Sequence, residues 1–547
     1  MGTILRLLLT LLLLFTSLYS TQLEDQLQEK IAYESPILKT LYNMNMGKPL
    51  WIGHAQNLHA LTQAIKMPYY NYKQKRFELD TIEEYSYLLH NNMDPNQNSE
   101  ELAKLDIALT KSYIALVNFI VLSDVDWDKV SAKLAQLKET KDISAHWEMV
   151  RKTPPSVDRL FNALVHQNIP EFLKSITPLK KRHQDLINAL FFYKSIQELP
   201  KVHYGVDLKY GDRDERIIEV KERLAFSGDF PRQASYSDLF DDQLKKALFI
   251  YKDRFNLEQN GLIDKITTYY MNKPINLLIE SIITNLDKLK VFPDQFPDEF
   301  IMVNIPDFRM EYYRNDRPIL SMNAVVGRDE RPTPIFASEM TYLELNPNWN
   351  IPENLVRRDL IPALIEHPNY LKEHNIHVFK GWGKKAKDLQ ATFTVDKLLP
   401  YKDKKAGHIP YRFVQYPGDD NALGRIKFMF PNKYSVYLHD TDNKELLTRR
   451  YRVYSSGCMR LQYPFKLLEM LQPRLKATPE QIQKYLESGK TKVLRFKKKL
   501  PVQTVYFTVF QRNGKIYFRK DIYGYDKFIQ ESIKQPLAQP NNASLLY

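Results

Sequence analysis

The chain has 547 residues, too many for a single hydrophobic core, so two or three domains are expected. Apolar residues make up 44% and charged residues 26%, as in soluble folded proteins, and only 17 glycines exclude a glycine-rich repeat or linker protein. The net charge of +13 favours contact with anionic polymers, although a solvated lysine-rich surface without a partner explains it equally well. No zinc finger, helix-turn-helix or RNA-binding aromatic pattern indicates a nucleic acid partner.

The first twenty residues are typical of a secretory signal. Arg6 precedes an apolar run from Leu7 to Phe15, and small and polar residues then lead to a cleavage site predicted after Ser20. The run is short for a membrane span, and an uncleaved anchor is the alternative. We therefore expect export from the cytoplasm, with residues 1–20 as the signal peptide.

The chain contains one cysteine, Cys458, which excludes an internal disulfide. A free thiol is a liability in an oxidising compartment. It therefore indicates either a reactive group or an inert, buried side chain. The count alone does not separate these interpretations.

Helical patterns fill the first 300 residues. Residues 21–204 carry apolar side chains at three- and four-residue spacings, which predicts a helical scaffold domain. Residues 205–274 predict a compact module of three helices, and residues 275–299 predict a connector helix. The three helices of the module are expected at 217–224, 242–255 and 264–270.

The hydrophobic period changes to two near residue 300, which predicts a mainly β domain over residues 300–530. Hairpins are expected around Asn315-Asp316, Pro431-Asn432 and Asn513-Gly514. The last has a strong type I′ turn signal between strands expected at 505–511 and 516–519. Between about 350 and 407 the pattern becomes irregular and helical, and an insertion of that length is expected to act as a lid or binding loop. Residues 531–547 are expected to form a frayed tail.

Two residues late in the β domain have the chemistry of a nucleophilic pair. His439 follows a predicted strand over 434–438, and Cys458, 19 positions later, is expected at the end of the next strand. A free thiol has a pKa near 8.5 and needs a neighbouring base for activation. Gly457 permits an unusual backbone conformation before the thiol, and the N–H groups of Gly457 and Cys458 are candidate oxyanion donors. The spacing alone is weak evidence for this pairing.

The sequence around Cys458 resembles the L,D-transpeptidases with a YkuD-type catalytic domain. That family has a His, a loop, and then Ser/Thr-His-Gly-Cys with a hydrophobic residue. Here His439 is followed by Ser455-Ser456-Gly457-Cys458-Met459-Arg460. Ser456 departs from the shorter members, which have His there, and is similar to the large YcbB-type subgroup of Gram-negative bacteria; the departure leaves a second-His role in doubt. Further resemblance to this subgroup is found in residues 301–308, 325–328, 340–352, 417–430 and 521–524.

The resemblance implies an α+β multidomain protein. Its parts would be a helical N-terminal scaffold, a three-helix peptidoglycan-binding-like module, and a mainly β YkuD-like catalytic domain with a helical lid insertion. Leu41-Tyr42 and residues 48–51 are similar to the scaffold domain, and residues 205–271 are more weakly similar to a peptidoglycan-binding module.

The resemblance also implies a two-step acyl transfer on peptidoglycan stem peptides in the periplasm. Cys458 would attack the bond before the terminal D-alanine of a tetrapeptide, and the side-chain amine of a second stem's diamino acid would resolve the thioester as a 3–3 crosslink. His439 would act first as base and then as acid, oriented by a backbone carbonyl such as that of Asp440. Carbapenems are implied as covalent inhibitors, and wall-synthesis or membrane proteins as further partners. No cofactor and no metal are expected.

Substrate contacts are expected from a small set of side chains near the pair. Arg460 is expected to hold a carboxylate bidentately, with a structural ion pair as the alternative. For Ser455 a hydrogen-bonding role is favoured, and Tyr437 is more often a core aromatic than a contact. The remaining candidates are Ser456 and Asn421, the latter shaping a loop beside the cleft.

Two alternatives to crosslinking stay open at this stage. Water could resolve the acyl-enzyme, giving an L,D-carboxypeptidase, or a protein amine could do so, attaching a lipoprotein to the wall. The other class is a non-catalytic wall-binding scaffold, against which the intact pair of Cys458 and His439 argues.

Overall fold

A computed structural model describes residues 21–91, 98–196, 198–381, 383, 386–403 and 407–534. The predicted signal peptide, residues 1–20, lies outside the described residues, as does most of the predicted tail over 531–547.

Nine helices form the N-terminal region of the described chain. Its core is organised around the buried carboxylate of Asp106, which accepts the Tyr42 hydroxyl and the backbone N–H groups of Leu50, Trp51 and Ile52. A buried charge needs such a complete set of donors. The helices are α1 Thr21–Ile31, α2 Pro36–Met44, α3 Ala55–Lys66, α4 Leu79–Asn91, α5 Ser99–Leu122, α6 Trp127–Lys141, α7 Val157–Val165, α8 Ile169–Ile176 and α9 Lys180–Ser195.

Helix α5 is, in the described part of the chain, the one helix long and apolar enough to cross a membrane. Its apolar window is 72% buried inside the protein, which is the behaviour of a central core helix.

Three helices of the predicted module follow, and each begins at an aspartate. Asp214, Asp241 and Asp264 accept backbone N–H groups of the first helical turn, which satisfies donors that a helix start leaves free. The connector helix comes next, as expected. These helices are α10 Glu215–Phe226, α11 Asp242–Arg254, α12 Lys265–Met271 and α13 Ile275–Lys288.

The C-terminal region is built on a nine-stranded mixed sheet. Its strands are β1 Glu299–Asn304, β2 Arg309–Arg314, β3 Arg317–Gly327, β4 Ala337–Leu345, β9 Ile426–Met429, β10 Leu438–His439, β11 Val453–Ser455, β12 Met459–Leu461 and β13 Lys492–Val505. Their order in the sheet is β11-β3-β12-β10-β9-β4-β13-β1-β2. Because β3 also pairs with β2, the sheet curls back on itself. Helices α17 Pro464–Leu471, α18 Pro479–Glu487 and α19 Tyr525–Gln530 and the hairpin β14 Val509–Arg512 with β15 Lys515–Phe518 complete the region.

The insertion between β4 and β9, here called the lid, spans residues 349–415 and folds around its own small core. The elements are β5 Trp349–Asn350, α14 Glu353–Leu355, a π-helical turn Val356–Leu360, α15 Ile361–Glu366, α16 Tyr370–Glu373, β6 Ile376–Lys380, β7 Lys387–Asp388 and β8 Arg412–Gln415. The expectation of an irregular, helical segment was wrong in one respect, because the lid contains a four-stranded sheet in the order β5-β8-β6-β7. Val378 and Phe413 are fully buried between that sheet and the lid helices.

Two predicted strands differ from the structure near the site. The hairpin around Pro431-Asn432 exists, since Leu438 pairs with Phe428, but residues 434–437 form a loop in place of a strand. Asn432 explains the loop, because its side chain bonds the backbone of Phe430 and Val436 and competes with strand pairing. The single strand expected from 505 to 511 is likewise interrupted. The hairpin around Asn513-Gly514 is confirmed, with φ of 49° and 74° at its two turn residues.

Candidate active site

Two short parallel strands bring the predicted pair to one face of the sheet. In the register of β10 with β12, His439 lies beside Arg460 and Leu438 beside Met459. Leu438 and Met459 are fully buried on the core side. Since side chains alternate along a strand, Cys458, one residue before β12, shares the opposite face with His439. Strand spacing and rise place their Cα atoms about 8 Å apart, within reach of the two side chains.

The nucleophile loop, residues 455–458, is held in a tight conformation by its own hydrogen bonds. Gly457 has φ of 111°, which other residues rarely adopt. The Ser455 hydroxyl donates to the Cys458 carbonyl oxygen at 2.5 Å and accepts the Gly457 N–H at 3.2 Å. Thr333 fixes the loop from the other side by donating to the Gly457 carbonyl oxygen at 2.9 Å. Cys458 therefore lies in the bend directly before β12, and the expectation that it ends a strand was wrong.

The Cys458 thiol is partly buried and held close to the loop before β10. Its sulfur lies 3.9 Å from the Ser435 carbonyl oxygen, and the Tyr437 side chain interacts with it on the same face. Burial raises the pKa of the Cys458 thiol, while Tyr437, Lys427 and Arg460 act in the opposite direction. The resting group is therefore a thiol that needs a base.

His439 is buried and uncharged in this setting. Burial, together with the nearby guanidinium of Arg460, lowers the pKa of His439 to about 3. The backbone of Asp440 acts against this shift. Within the described residues its Nδ1 has no hydrogen-bond partner. The ring packs edge-on against Tyr437, with centroids 5.5 Å apart. A neutral imidazole on the same face as a protonated thiol is the starting arrangement for general-base activation.

Arg460 lies beside His439 in the register of β10 with β12 and has no carboxylate partner in the described part of the chain. Its Nη1 is 3.5 Å from the Thr441 hydroxyl, and its Nε is buried without a hydrogen bond. Burial lowers its pKa, and Asp442 partly offsets this effect. An unpaired guanidinium is costly to bury, so the side chain is available for an anionic ligand.

Other predicted contacts turn out to be structural. Asn421 is 1% exposed, its amide donates to the carbonyls of Pro347 and Tyr416, and it accepts the Leu423 N–H, so its prediction as a substrate contact was wrong. Ser455 is 3% exposed and fully engaged in the loop, so it does not face a ligand either.

Gly457, predicted with the catalytic pair, acts through its backbone shape, since its N–H is already bonded to Ser455. Ser456 is exposed, and its hydroxyl accepts from the Arg331 guanidinium at 2.9 Å.

The sequence did not predict a second group of residues beside the nucleophile loop. A cleft of about 700 Å³, here called the junction cleft, opens beside Gly457, and Arg331 is one of its lining residues. Arg331 bonds Ser456 and also forms a bidentate ion pair with Asp359 of the lid at 2.7 and 2.9 Å. No local signal marks Arg331 in the sequence, because its partners lie 28 and 125 positions away. The described residues contain no group of three His, Cys, Asp or Glu side chains that could hold a metal.

Comparison with known proteins assigns two parts of the chain. Residues 298–494 match the family model of the L,D-transpeptidase catalytic domain, YkuD, and residues 36–190 match the model of the scaffold domain. A protein of Haemophilus influenzae named "Putative L,D-transpeptidase" is 34% identical over 252 residues, which are 46% of this chain and 49% of that protein. The chain thus aligns with about half the length of this curated relative.

Two solved structures were also compared. The avibactam carbamoyl enzyme of Ldtfm is 12% identical, over 50% of this chain and 83% of that one, with a TM-score of 0.17. The L,D-transpeptidase (Yku) of Stackebrandtia nassauensis is 12% identical, over 58% of this chain and 100% of that one, with a TM-score of 0.20. Neither score supports an argument about this fold.

The family assignment rests on the sequence matches and agrees with the site described above. Cys458, His439 and the loop between them all fall inside the matched catalytic domain, and the nine N-terminal helices enclose the matched scaffold range. The protein carries an L,D-transpeptidase catalytic domain of the YkuD family behind a scaffold domain.

Proposed function

We propose that this protein is a periplasmic peptidoglycan L,D-transpeptidase that forms 3–3 crosslinks through an acyl-enzyme on Cys458. The observation that carries the proposal is the position of the chain's only thiol, on the same sheet face as His439 and after a glycine with φ of 111°. An inert structural cysteine needs neither the strained glycine nor a buried neutral imidazole beside it.

Acylation begins with proton transfer from the Cys458 thiol to a ring nitrogen of His439. The sulfur forms a bond to the carbonyl carbon that precedes the terminal D-alanine of a tetrapeptide stem, and the C–N bond breaks. The imidazolium returns the proton to the leaving amine, so D-alanine departs and a thioester remains. The lowered pKa of His439 makes the imidazolium a strong acid toward that amine.

The second step reverses the same chemistry with a new amine. The side-chain amine of a second stem's diamino acid attacks the thioester, His439 takes its proton, and the C–S bond breaks to regenerate the thiol. Arg460 is positioned to hold a substrate carboxylate, because it lies beside His439 and its guanidinium has no ion-pair partner in the described structure. The Cys458 N–H is the remaining oxyanion donor at the nucleophile, since that of Gly457 is engaged.

A muropeptide assay tests this proposal. Mature protein is incubated with disaccharide-tetrapeptide beside Cys458→Ala, and products are separated by mass. We expect a 3–3 crosslinked dimer that is absent with the variant. Tripeptide without dimer would instead indicate an L,D-carboxypeptidase. No product from folded protein would favour a lipoprotein-attaching or wall-binding role. Carbapenems, proposed as inhibitors, should add covalently to the wild type alone.

A further inference from the structure

The junction cleft has walls from three parts of the chain. Ser456 and Gly457 of the nucleophile loop form one end, and the lid supplies a second wall around Arg357. The third wall belongs to the N-terminal region and consists of residues 142–148, which follow α6; we call it the scaffold wall. A catalytic domain acting alone would lack this third wall.

Backbone hydrogen bonds fix the scaffold wall to the catalytic sheet. The Ile335 N–H donates to the His146 carbonyl oxygen at 2.9 Å, and the Glu148 N–H donates to the Ile335 carbonyl oxygen at 2.8 Å. Two residues further, the Val150 N–H donates to Val291 at 2.9 Å. Backbone hydrogen bonds fix a segment more firmly than contacts between surface side chains, so the scaffold wall has a fixed position in the cleft.

Side chains connect the scaffold wall to the loop that touches the nucleophile. Glu148 accepts from the Tyr434 hydroxyl at 2.9 Å and pairs with Lys433 at 2.8 Å. The ring of His146 lies 4.8 Å from that of Tyr434. The next residue, Ser435, presents the carbonyl oxygen that contacts the Cys458 sulfur. The scaffold wall is therefore two contacts away from the reacting atom.

Two neighbouring residues of the lid form ion pairs with different walls of the cleft. Arg358 pairs with Asp142 of the scaffold wall at 2.5 Å, while Asp359 pairs with Arg331 beside the nucleophile loop at 2.7 Å. Both residues lie on the π-helical turn Val356–Leu360, a local irregularity that is frequent at functional sites.

The cleft offers charged groups of both signs to a peptide ligand. Five basic and three acidic side chains line it, and each basic side chain forms an ion pair whose carboxylate a ligand carboxylate would join or replace. Glu330 is exposed and, in the described structure, forms no hydrogen bond or ion pair, which leaves its carboxylate for a cationic group. The basic residues are Lys138, Arg331, Arg357, Arg358 and Lys433, and the acidic ones are Asp142, Glu330 and Glu353.

The proton transfers through His439 decide on which side of Cys458 each part of the substrates lies. The leaving D-alanine amine takes its proton from His439, and the attacking amine gives its proton to the same ring, so both pass on the His439 and Arg460 side of Cys458. The acyl part of the donor must then extend to the other side. That side is the Gly457 end, where the junction cleft begins.

We infer that the junction cleft is the subsite for the acyl part of the donor stem, and that the scaffold wall is one of its binding surfaces. The ligand class is an acidic peptide with one primary amine. This inference rests on the proposed transpeptidase function and deepens it, because it makes the scaffold domain part of substrate recognition.

The test fills the cleft at Ser144, an exposed residue of the scaffold wall that lines the cleft. We compare Ser144→Trp with Lys141→Trp, a change at the exposed last residue of α6, which directly precedes the scaffold wall and does not line the cleft. D-alanine release from a tetrapeptide donor gives KM and kcat. Iodoacetamide alkylation of Cys458, the only cysteine, reports whether each variant keeps an intact nucleophile loop.

For Ser144→Trp we expect KM for the donor to rise about tenfold or more, the loss of about 1.4 kcal/mol of binding, with alkylation within about twofold of wild type. Lys141→Trp should leave both readouts unchanged. Unchanged donor kinetics in Ser144→Trp would overturn the inference, and so would an equal loss of alkylation and D-alanine release. Failure of the wild type to release D-alanine would overturn the proposed function itself, and this inference with it.

Discussion

The hydroxyl of Ser455 donates to the carbonyl oxygen of Cys458 at 2.5 Å and so closes a loop of four residues around the nucleophile. The Ser455 hydroxyl oxygen also accepts the Gly457 N–H, which means that one buried side chain satisfies two backbone groups. The orientation of the thiol therefore depends on a serine that does not itself face the cleft.

Ser455→Ala should loosen this loop. Removing a buried partner of two backbone groups costs about 1–3 kcal/mol, so hydrogen exchange over residues 453–461 should accelerate about tenfold or more. The matched control is Ser456→Ala, which removes an exposed hydroxyl bonded to Arg331 alone and should change exchange far less. Equal exchange in the two variants would show that Ser455 does not hold the loop.

The ion pair of Arg331 with Asp359 connects the lid to the catalytic domain. Asp359→Asn removes the charge and weakens a bidentate pair at a half-exposed position, so we expect a change of about 1 kcal/mol or less in stability. Hydrogen exchange in residues 353–366 should nevertheless rise, because the lid turn loses its hold on the catalytic domain. Asp396→Asn, at an exposed lid aspartate, is the control. Indistinguishable exchange in both variants would refute this fastening role.

The pH dependence of thiol reactivity follows from the burial of Cys458. Burial disfavours the thiolate and raises the pKa, so the thiolate fraction at neutral pH is smaller than for a free cysteine. Iodoacetamide alkylation in the absence of substrate should therefore rise with pH to a midpoint above the free-thiol value of about 8.5. A plateau between about pH 5 and 7 would indicate a resting thiolate–imidazolium pair, as in other activated cysteines, and would contradict this account.

Acid should destabilise the scaffold domain through His183. Burial lowers the pKa of this histidine to about 4, and its Nε2 donates to the Tyr69 carbonyl oxygen at 2.7 Å. The unfolded chain binds the proton first, so the stabilising effect is present above about pH 6.5 and is lost as the pH falls toward 4, by about 3 kcal/mol at most. Urea midpoints at pH 7 and 4.5 should differ less in His183→Gln. An equal difference in both proteins would rule out His183 as the cause.

Local patterns predicted much of the fold. The helices of the module and the connector helix were confirmed, as was the Asn513-Gly514 hairpin, since capping aspartates and a type I′ turn act over a few residues. The sequence also predicted that His439 and Cys458 approach each other, but it placed Cys458 at the end of a strand, whereas the residue precedes β12. It did not predict the loop at 434–437, where the Asn432 side chain replaces strand pairing.

Long-range contacts account for most of what the sequence did not predict. Arg331 gains its role from Asp359 and Ser456, which only the folded chain brings together. Gly424 is a related case, because a Cβ there would lie 2.3 Å from the Asp440 carboxylate, a packing constraint with no local signal.

The central claim is that Cys458 is the nucleophile and that His439 activates it. The most direct measurement is an intact-mass spectrum of the protein mixed with a tetrapeptide donor and no acceptor, quenched in acid. The account predicts a thioester adduct of the donor minus D-alanine on the wild type, a much slower adduct with His439→Gln, and none with Cys458→Ala. An adduct that persists in Cys458→Ala, or that forms at the wild-type rate in His439→Gln, would contradict it.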